Sequence, residues 1–184
     1  DAMGLAGPPI STLEFPGHQA MADKQHVHGL SVGYIKIADR LRRHENIILD
    51  GGTGTDIQRR GVPMSGDTWC AQANLTHPEI VRAVHRDYIH AGADIITANT
   101  FATSPILFSH IGRPADVARI DTIAVNIARE ATAGTEVCVA GSMSTMRPMA
   151  TGTDPNNLNY VLSERDARAL FQAKADGLKA CGCD

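Results

Sequence analysis

A carboxylate followed by a glycine-rich turn is the part of this chain best suited to chemistry. Asp50 follows a short apolar run, residues 47–49, and is followed by Gly51, Gly52 and Thr53. Such a run predicts a buried parallel strand, and ligands of α/β proteins bind at the carboxyl ends of parallel strands. Glycine there lets backbone N–H groups approach a ligand closely. One acidic group beside several bare amides therefore suits a small zwitterionic or polar ligand.

Two later segments repeat this pattern of an apolar strand with a polar tip. Residues 94–99 and 137–141 predict strands, as residues 46–50 do. The tips of the two later strands carry Asn99, Thr100, Phe101 and Ser142. Because the carboxyl ends of parallel strands meet at one edge of a sheet, we expect these tips to share one rim with Asp50.

Helical periodicity separates the predicted strands. One helix is predicted to begin at a capping box from Thr76 to Glu79, with proline in its first turn. Two more are predicted over about residues 115–133 and 163–179, the last with Ser163 as N-cap. A shorter helix over residues 34–43 would close the bottom of a barrel. The apolar face of the last helix comprises Ala167, Leu170, Phe171 and Leu178.

The order β-α-β-α-β-α argues for a parallel sheet with crossover helices, and two folds compete. A doubly wound sheet would use the glycines after Asp50 as a nucleotide loop, but Ile57 stands where the fingerprint needs a third glycine. No phosphate-loop Gly-Lys-Ser/Thr follows either. A (β/α)8 TIM barrel needs only polar residues at successive strand ends, so the pattern favours it.

Chain length limits how much of a barrel can be present. An eight-stranded barrel takes about 250 residues, whereas this chain has 184. We expect an N-terminal extension over residues 1–30 and a partial barrel over residues 31–184, with about the first three β-α units. Gly182 and Asp184 would lead into a fourth strand. The chain thus resembles part of a protein, and its open edge would need a partner, such as a second copy, or the missing half.

Composition excludes several classes of function. The net charge of −3 predicts no attraction to nucleic acid or membranes, and 43% apolar residues support a globular core. No apolar stretch is long enough to span a bilayer, and no secretion signal is visible. Four unevenly spaced cysteines do not suggest a disulfide framework, so the expected location is the cytoplasm.

Two groups of residues could hold a metal, but both have a simpler interpretation. His18, His26 and His28 lie in an aperiodic N-terminal segment that reads as a surface tail, and its first four residues could derive from an expression tag. Cys181 and Cys183 supply two soft ligands without a nearby partner, which makes a poor site. We therefore expect no metal ligands in this chain.

An ordered set of motifs resembles the start of the homocysteine S-methyltransferase family. The set comprises Asp50-Gly-Gly-Thr-Gly-Thr, Trp69, residues 74–88 and residues 91–101, and Val139-Ala-Gly-Ser142 continues it. That family includes betaine- and S-methylmethionine-dependent enzymes and the homocysteine module of cobalamin-dependent methionine synthase. The resemblance covers about residues 46–184, and family members are (β/α) barrels, as the strand pattern independently favours.

The resemblance implies methyl transfer to the thiolate of homocysteine, giving methionine. In the family a zinc ion held by three cysteine thiolates binds that sulfur, and metal binding deprotonates a thiol. Those cysteines lie late in the family barrel, and none of this chain's four matches them: Cys70, Cys138, Cys181 and Cys183. We therefore expect zinc in the complete family protein, no zinc ligands or catalytic residues here, and no activity from this chain alone.

The substrate-binding end of the family site does carry over to this chain. The predicted substrate-binding residues are Asp50, Gly51, Gly52, Thr53, Asn99, Thr100, Phe101 and Ser142. Asp50 would pair with the ammonium group of homocysteine. Its alternative role is an Asx-turn or helix N-cap at the junction that follows the strand.

Three functions remain open from the sequence. The first is methyl transfer to homocysteine. The methyl donor stays undetermined, because the atypical loop over residues 143–149 departs from the glycine-proline turn common in the family. The second is a non-catalytic half-barrel that binds a ligand or a partner chain. The third is a barrel lyase or aldolase with Asp50 as base, although no lysine at the strand tips supports a Schiff base.

Overall fold

A computed structural model of the protein describes residues 30–66, 68–145 and 163–184. The histidines of the N-terminal segment and residues 146–149 of the atypical loop lie outside these ranges. The helices are α1 (Val32–Arg42), α2 (Thr53–Arg59), a 3-10 helix (Cys70–Gln72), α3 (Ala73–Thr76), α4 (Pro78–His90), α5 (Pro105–His110), α6 (Asp116–Thr132) and α7 (Glu164–Ala180). The strands are β1 (Ile95–Thr97) and β2 (Cys138–Ala140).

The strands form a parallel sheet in chain order. β1 pairs with β2 in a register that places Ile96 opposite Val139. On the other side of β1, Leu49 forms an isolated parallel bridge with Ile95. The two later predicted strands are thus confirmed in shortened form. The first prediction was wrong in extent, since residues 46–50 contribute one bridge rather than a strand.

Two aspartate side chains explain why this first segment forms only one bridge. A longer parallel ladder would send the Thr97 N–H to the backbone carbonyl of Asp50, but the Asp50 carboxylate accepts that bond at 2.7 Å. Before the bridge, the Ile48 N–H donates to the Asp94 carboxylate at 2.9 Å instead of to a strand carbonyl. Each carboxylate replaces a backbone acceptor, so the ladder stops on both sides of Leu49.

Asp94 bonds to Ile48 through both its carboxylate and its backbone N–H, and we call this arrangement a clamp. Asp184, at the end of the described chain, forms the same kind of clamp. The Asp94 backbone N–H donates to the Ile48 carbonyl, and Arg40 of α1 pairs with its carboxylate. Asp184 likewise donates its N–H to the Val139 carbonyl at 2.9 Å and accepts the Val139 N–H at 2.9 Å. Arg129 of α6 pairs with that carboxylate. Asp184 therefore lies beside β2 as Asp94 lies beside the first segment, which agrees with the predicted lead-in to another strand.

Both clamps follow the same helix ending. Gly92 and Gly182 stand two residues before the aspartates, with φ angles of 98° and 102°. Those angles belong to the left-handed region, which glycine adopts without steric cost and which ends helices. The sequence thus contains a repeated device that stops a helix and starts the next neighbour of the sheet.

The predicted helices are present, with one error at an end. α1, α4, α6 and α7 match the predictions within a few residues, and Ser163 caps α7 by accepting the Asp166 N–H at 3.1 Å. The predicted capping box before α4 was wrong. His77 is the N-cap and makes no side-chain cap bond, and the Thr76 hydroxyl donates to the Gln72 carbonyl of the preceding turn.

The core lies between the sheet and the helices that follow each strand. Ile96 and Val139 pack with Val125 of α6 and Leu178 of α7, and all four are buried. A second cluster joins α2, α4 and α6 around Ile57. This layer of helices beside a parallel sheet is an α/β arrangement, as predicted. Within the described ranges the strands do not close into a barrel.

α7 has a polar group where the sequence predicted an apolar face. Leu178 is buried, but the other fully buried residue of α7 is Lys174. Lys174 forms an ion pair with Asp121 of α6, and the two side chains are 3% and 6% exposed.

None of the helices in the described part of the chain is both long and apolar enough to cross a membrane.

Candidate functional site

The polar strand tips surround one cavity, which we call the rim cavity. It has a volume of about 320 Å³. Its lining residues are Leu49, Asp50, Gly51, Gly52, Thr53, Gly54, Thr55, Trp69, Cys70, Thr97, Ala98, Asn99, Phe101 and Ser142. The predicted common rim of Asp50, Asn99 and Ser142 is confirmed. Every predicted site residue except Thr100 lines the cavity.

Asp50 is held by Thr97 through both carboxylate oxygens. The Thr97 N–H donates to Oδ2 at 2.7 Å, and the Thr97 hydroxyl donates to Oδ1 at 2.8 Å. Burial raises the pKa of Asp50, and the hydrogen bonds from Thr97 oppose that rise. An ionised carboxylate has about four lone-pair positions, so two strong bonds leave acceptor capacity on the cavity side.

Asp50 does not cap the helix that follows it. Gly52 is the N-cap of α2, and no side chain makes a cap bond there. The Thr53 hydroxyl reaches Asp50 only at 3.5 Å, which is too long for a strong O–H···O bond. The N-cap alternative for Asp50 was therefore wrong, because the carboxylate turns toward the next strand.

Two glycines of the turn are needed for close packing rather than for unusual backbone angles. A Cβ on Gly51 would lie 2.9 Å from the Tyr88 hydroxyl oxygen, and one on Gly54 would lie 2.7 Å from the Trp69 ring. Neither glycine has a positive φ. The turn thus packs closely against Tyr88 of α4 on one side and against Trp69, which lines the cavity, on the other.

Asn99 is buried in a network that uses its whole amide. Its Nδ2 donates to the Cys70 carbonyl at 3.0 Å and to Asn74 Oδ1 at 3.2 Å. Its Oδ1 accepts from the Cys70 thiol at 3.1 Å, and Asn74 donates to the Asn99 carbonyl at 3.0 Å. Asn99 is 4% exposed. Its side chain therefore ties the strand tip to the 3-10 helix and α3, and little of it is left for a ligand.

Thr100 also connects segments of the rim. Its hydroxyl donates to the Ser142 carbonyl and accepts the Ser142 N–H, each at 2.9 Å. Thr100 is fully buried. It therefore does not face the cavity, although the sequence predicted it as a substrate-binding residue. It extends the contact between β1 and β2 past the end of their ladder and fixes Ser142 at the cavity wall.

An aromatic pair forms one wall of the rim cavity. The rings of Trp69 and Phe101 meet edge to face, with centroids 6.3 Å apart. Trp69 has a φ of 43°, which is uncommon for a bulky residue. Phe101 is 45% exposed. This wall is apolar, and the carboxylate of Asp50 lines the same cavity.

Sequence reasoning missed Thr97, Trp69 and Cys70 as lining residues. Thr97 lies two residues before Asn99 and so shares its face of an extended strand, which was a usable signal. Trp69 was noticed within the motif set but not assigned to the site. Cys70 is 1% exposed and packs in the core. Burial raises the pKa of its thiol to about 11, so Cys70 stays protonated at neutral pH.

The described residues do not offer a zinc site. Across residues 30–66, 68–145 and 163–184, no three His, Cys, Asp or Glu side chains lie together in a way that could hold a metal ion. Burial also raises the pKa of Cys183 to about 11, whereas zinc takes the thiolate. The described residues therefore do not fit the zinc ion that the resemblance implies.

Sequence comparison now identifies relatives. The profile of the homocysteine S-methyltransferase family matches residues 47–184. Betaine–homocysteine S-methyltransferase 1 of Xenopus laevis is 30% identical over 144 residues, which are 76% of this chain and 33% of that protein. Selenocysteine Se-methyltransferase of Brassica oleracea var. italica is 41% identical over 54 residues, which are 29% of this chain and 16% of that protein.

Structural comparison agrees with the sequence. The homocysteine methyltransferase MmuM of Escherichia coli, in its metallated form, aligns with a TM-score of 0.61 at 28% identity. The alignment covers 78% of this chain and 54% of that one. The chain thus spans about half of this solved structure, and the match to the Xenopus protein covers 33% of that protein.

Proposed function

The chain belongs to the homocysteine S-methyltransferase family, and from that premise we propose that its rim cavity binds the amino-acid end of homocysteine. The activity served by this binding is methyl transfer to the homocysteine sulfur, which gives methionine. The observation that carries the proposal is the position of Asp50 in the rim cavity, beside the turn of Gly51 and Gly52. A carboxylate there supplies the negative charge that a substrate ammonium requires.

The residues of the rim cavity have different roles in the proposed binding. Asp50 pairs with the ammonium group in a half-buried position, where a charge-assisted hydrogen bond is stronger than in water. Trp69 and Phe101 supply apolar surface for the methylene groups of the substrate. Asn99 and Thr100 hold the rim together rather than contact the substrate, because their polar atoms are already used within the protein.

The fold proposed for the whole protein is a (β/α)8 barrel. Residues 31–184 would supply its first three β-α units, and residues 1–30 would be an extension. The sheet edge formed by residues 48 and 49 supports this, since Ile48 is 55% and Leu49 is 60% exposed. Exposed apolar side chains at a sheet edge suit a further neighbour, either the rest of a barrel or a second copy of the chain.

Zinc, the methyl donor and location belong to the proposal for the whole protein. When bound, zinc would supply an activated thiolate, with ligands outside the described residues. The methyl donor is a second small molecule, and neither nucleic acid nor a membrane is a partner. Four free cysteines fit a reducing compartment such as the cytoplasm.

A ligand series tests the proposed substrate. We expect homocysteine to bind in a calorimetric titration, and 4-mercaptobutanoate, which lacks only the ammonium group, to bind about 10-fold or more weakly. Equal binding of both compounds would contradict the role of Asp50. A non-catalytic binding module is the second candidate, favoured by the lack of a metal cluster among the described residues. Methionine formation by a polypeptide that continues through the rest of the family barrel would rule it out.

A further inference from the structure

Thr97 makes the two shortest hydrogen bonds to the Asp50 carboxylate among the described residues. Its N–H and its hydroxyl donate separately to the two carboxylate oxygens, at 2.7 and 2.8 Å. The N–H bond depends on the backbone alone and would survive any side chain except proline. The hydroxyl bond depends on the side chain, so a substitution can remove it while the first remains.

The position of Thr97 makes it able to orient this carboxylate. Thr97 belongs to β1, where Ala140 of β2 lies opposite it, so its backbone is held on the side away from Asp50. Asp50 precedes a glycine turn and forms no cap bond with α2. Without the hydroxyl, Oδ1 would lose the one short bond that the described residues give it, and the carboxylate could rotate about the remaining one.

The surroundings of Asp50 make this bond more important. Burial favours the neutral acid, and the described contacts include no cation at the carboxylate that would oppose it. The titratable groups close by are Tyr88 of α4, against Gly51, and the protonated thiol of Cys70 across the cavity. Neither supplies a positive charge, so the hydrogen bonds that Asp50 accepts are what opposes the effect of burial on its pKa.

We propose that Thr97 is the positioning residue for the carboxylate that binds the substrate: its hydroxyl holds Asp50 ionised and turned toward the rim cavity. This inference rests on the proposed function, in which the Asp50 anion binds the homocysteine ammonium. Thr97 acts through Asp50 and is not itself a catalytic residue. A hydroxyl at this position, rather than the shape of the side chain, is what the role requires.

Thr97→Val and Thr97→Ser separate the hydroxyl from the shape. Valine keeps the branched shape and loses the donor, whereas serine keeps the donor and loses a methyl group. Thr122→Val is the control, since it removes a hydroxyl that does not line the rim cavity. The first readout is the pH titration of the Asp50 carboxyl carbon by NMR without ligand. The second is homocysteine affinity by calorimetry at pH 7.

We expect Thr97→Val to raise the pKa of Asp50 and to weaken homocysteine binding about 10-fold, which is the effect of one hydrogen bond to a charged group. Thr97→Ser should restore both, and Thr122→Val should change neither. The same Asp50 titration in Thr97→Val and the wild type would overturn the inference. A raised pKa with unchanged homocysteine affinity would also overturn it. If the wild type binds no homocysteine, the proposed function fails, and the ligand-free titration still decides whether Thr97 controls Asp50.

Discussion

Lys174 and Asp121 form an ion pair that is almost completely buried between α7 and α6. The ammonium also donates to the Thr103 carbonyl at 3.0 Å and to the Thr103 hydroxyl at 2.8 Å. Burial lowers the pKa of Lys174, and the hydrogen bond to Asp121 opposes that change. The pair joins α7 to α6 and, through Thr103, to the loop after β1.

Removing one partner of this pair should be costly. Lys174→Met leaves the Asp121 carboxylate buried without a counter-ion, which typically costs about 3–5 kcal/mol of unfolding free energy. The matched control is Arg168→Met on the same helix, because Arg168 and Glu164 are 78% and 87% exposed. Such a surface pair is worth about 0–1 kcal/mol. Denaturant unfolding measures both, and similar small losses would show that the Lys174 pair is solvated.

His85 should make the protein sensitive to acid. Its side chain is fully buried, and neither ring nitrogen has a hydrogen-bond partner among the described residues. Burial lowers its pKa from 6.5 to about 4. The folded state thus favours the neutral ring, so stability is fully present above pH 6.5 and is lost as the pH falls toward 4. At pH 5 the loss should be about 2 kcal/mol.

His85→Leu removes this titration and places an apolar side chain in the core. Its unfolding free energy should therefore change less between pH 7 and pH 5 than that of the wild type, by about 2 kcal/mol. Urea unfolding at the two pH values gives the comparison. Parallel losses in both proteins would mean that His85 is hydrated or paired in solution.

Two helical glycines should respond in opposite directions to alanine. Gly54→Ala places a methyl group against Trp69 and Cys70, and such overpacking typically costs about 1–3 kcal/mol. Gly177 lies within α7, and nothing is within 4 Å of its added Cβ. Gly177→Ala should then stabilise the protein by about 0.5–1 kcal/mol. Thermal melts of the two variants provide the test, and a stable Gly54→Ala would show that the aromatic wall moves easily.

The isolated 184-residue chain should bind no stoichiometric zinc and should form no methionine. The physical reason is the missing set of three thiolates among the described residues. Elemental analysis after washing with a chelator is the measurement. About one tightly held zinc ion per chain would contradict the prediction and would direct attention to Cys181, Cys183 and the N-terminal histidines.

The parts of the fold that repeat locally could be predicted from the sequence. Gly92 and Gly182 stop helices at positions that the pattern marks, and Ser163 caps α7 as expected. The strand tips could also be placed on one rim, because parallel strands of one sheet end at the same edge. These features depend on short stretches of chain or on a general rule of α/β topology.

The parts that depend on distant partners could not be predicted. Nothing near Lys174 in sequence indicates that Asp121, 53 residues away, will neutralise it. The role of Asn99 likewise depends on Cys70 and Asn74, which approach it from another helix pair. The first strand was overestimated because its apolar pattern does not reveal that two carboxylates replace backbone acceptors.

The most direct test of the central claim is a calorimetric titration of homocysteine into Asp50→Asn. Asparagine keeps the shape and can still accept the Thr97 N–H, while the hydroxyl of Thr97 can turn to accept from the amide. The account predicts a 10- to 150-fold loss of affinity, roughly the 1.5–3 kcal/mol of a hydrogen bond to a charged group. The melting temperature should change little, and the control Asp87→Asn, whose partner is Arg60, should bind normally. Unchanged affinity together with a lower melting temperature would contradict the account, because Asp50 would then serve only the fold.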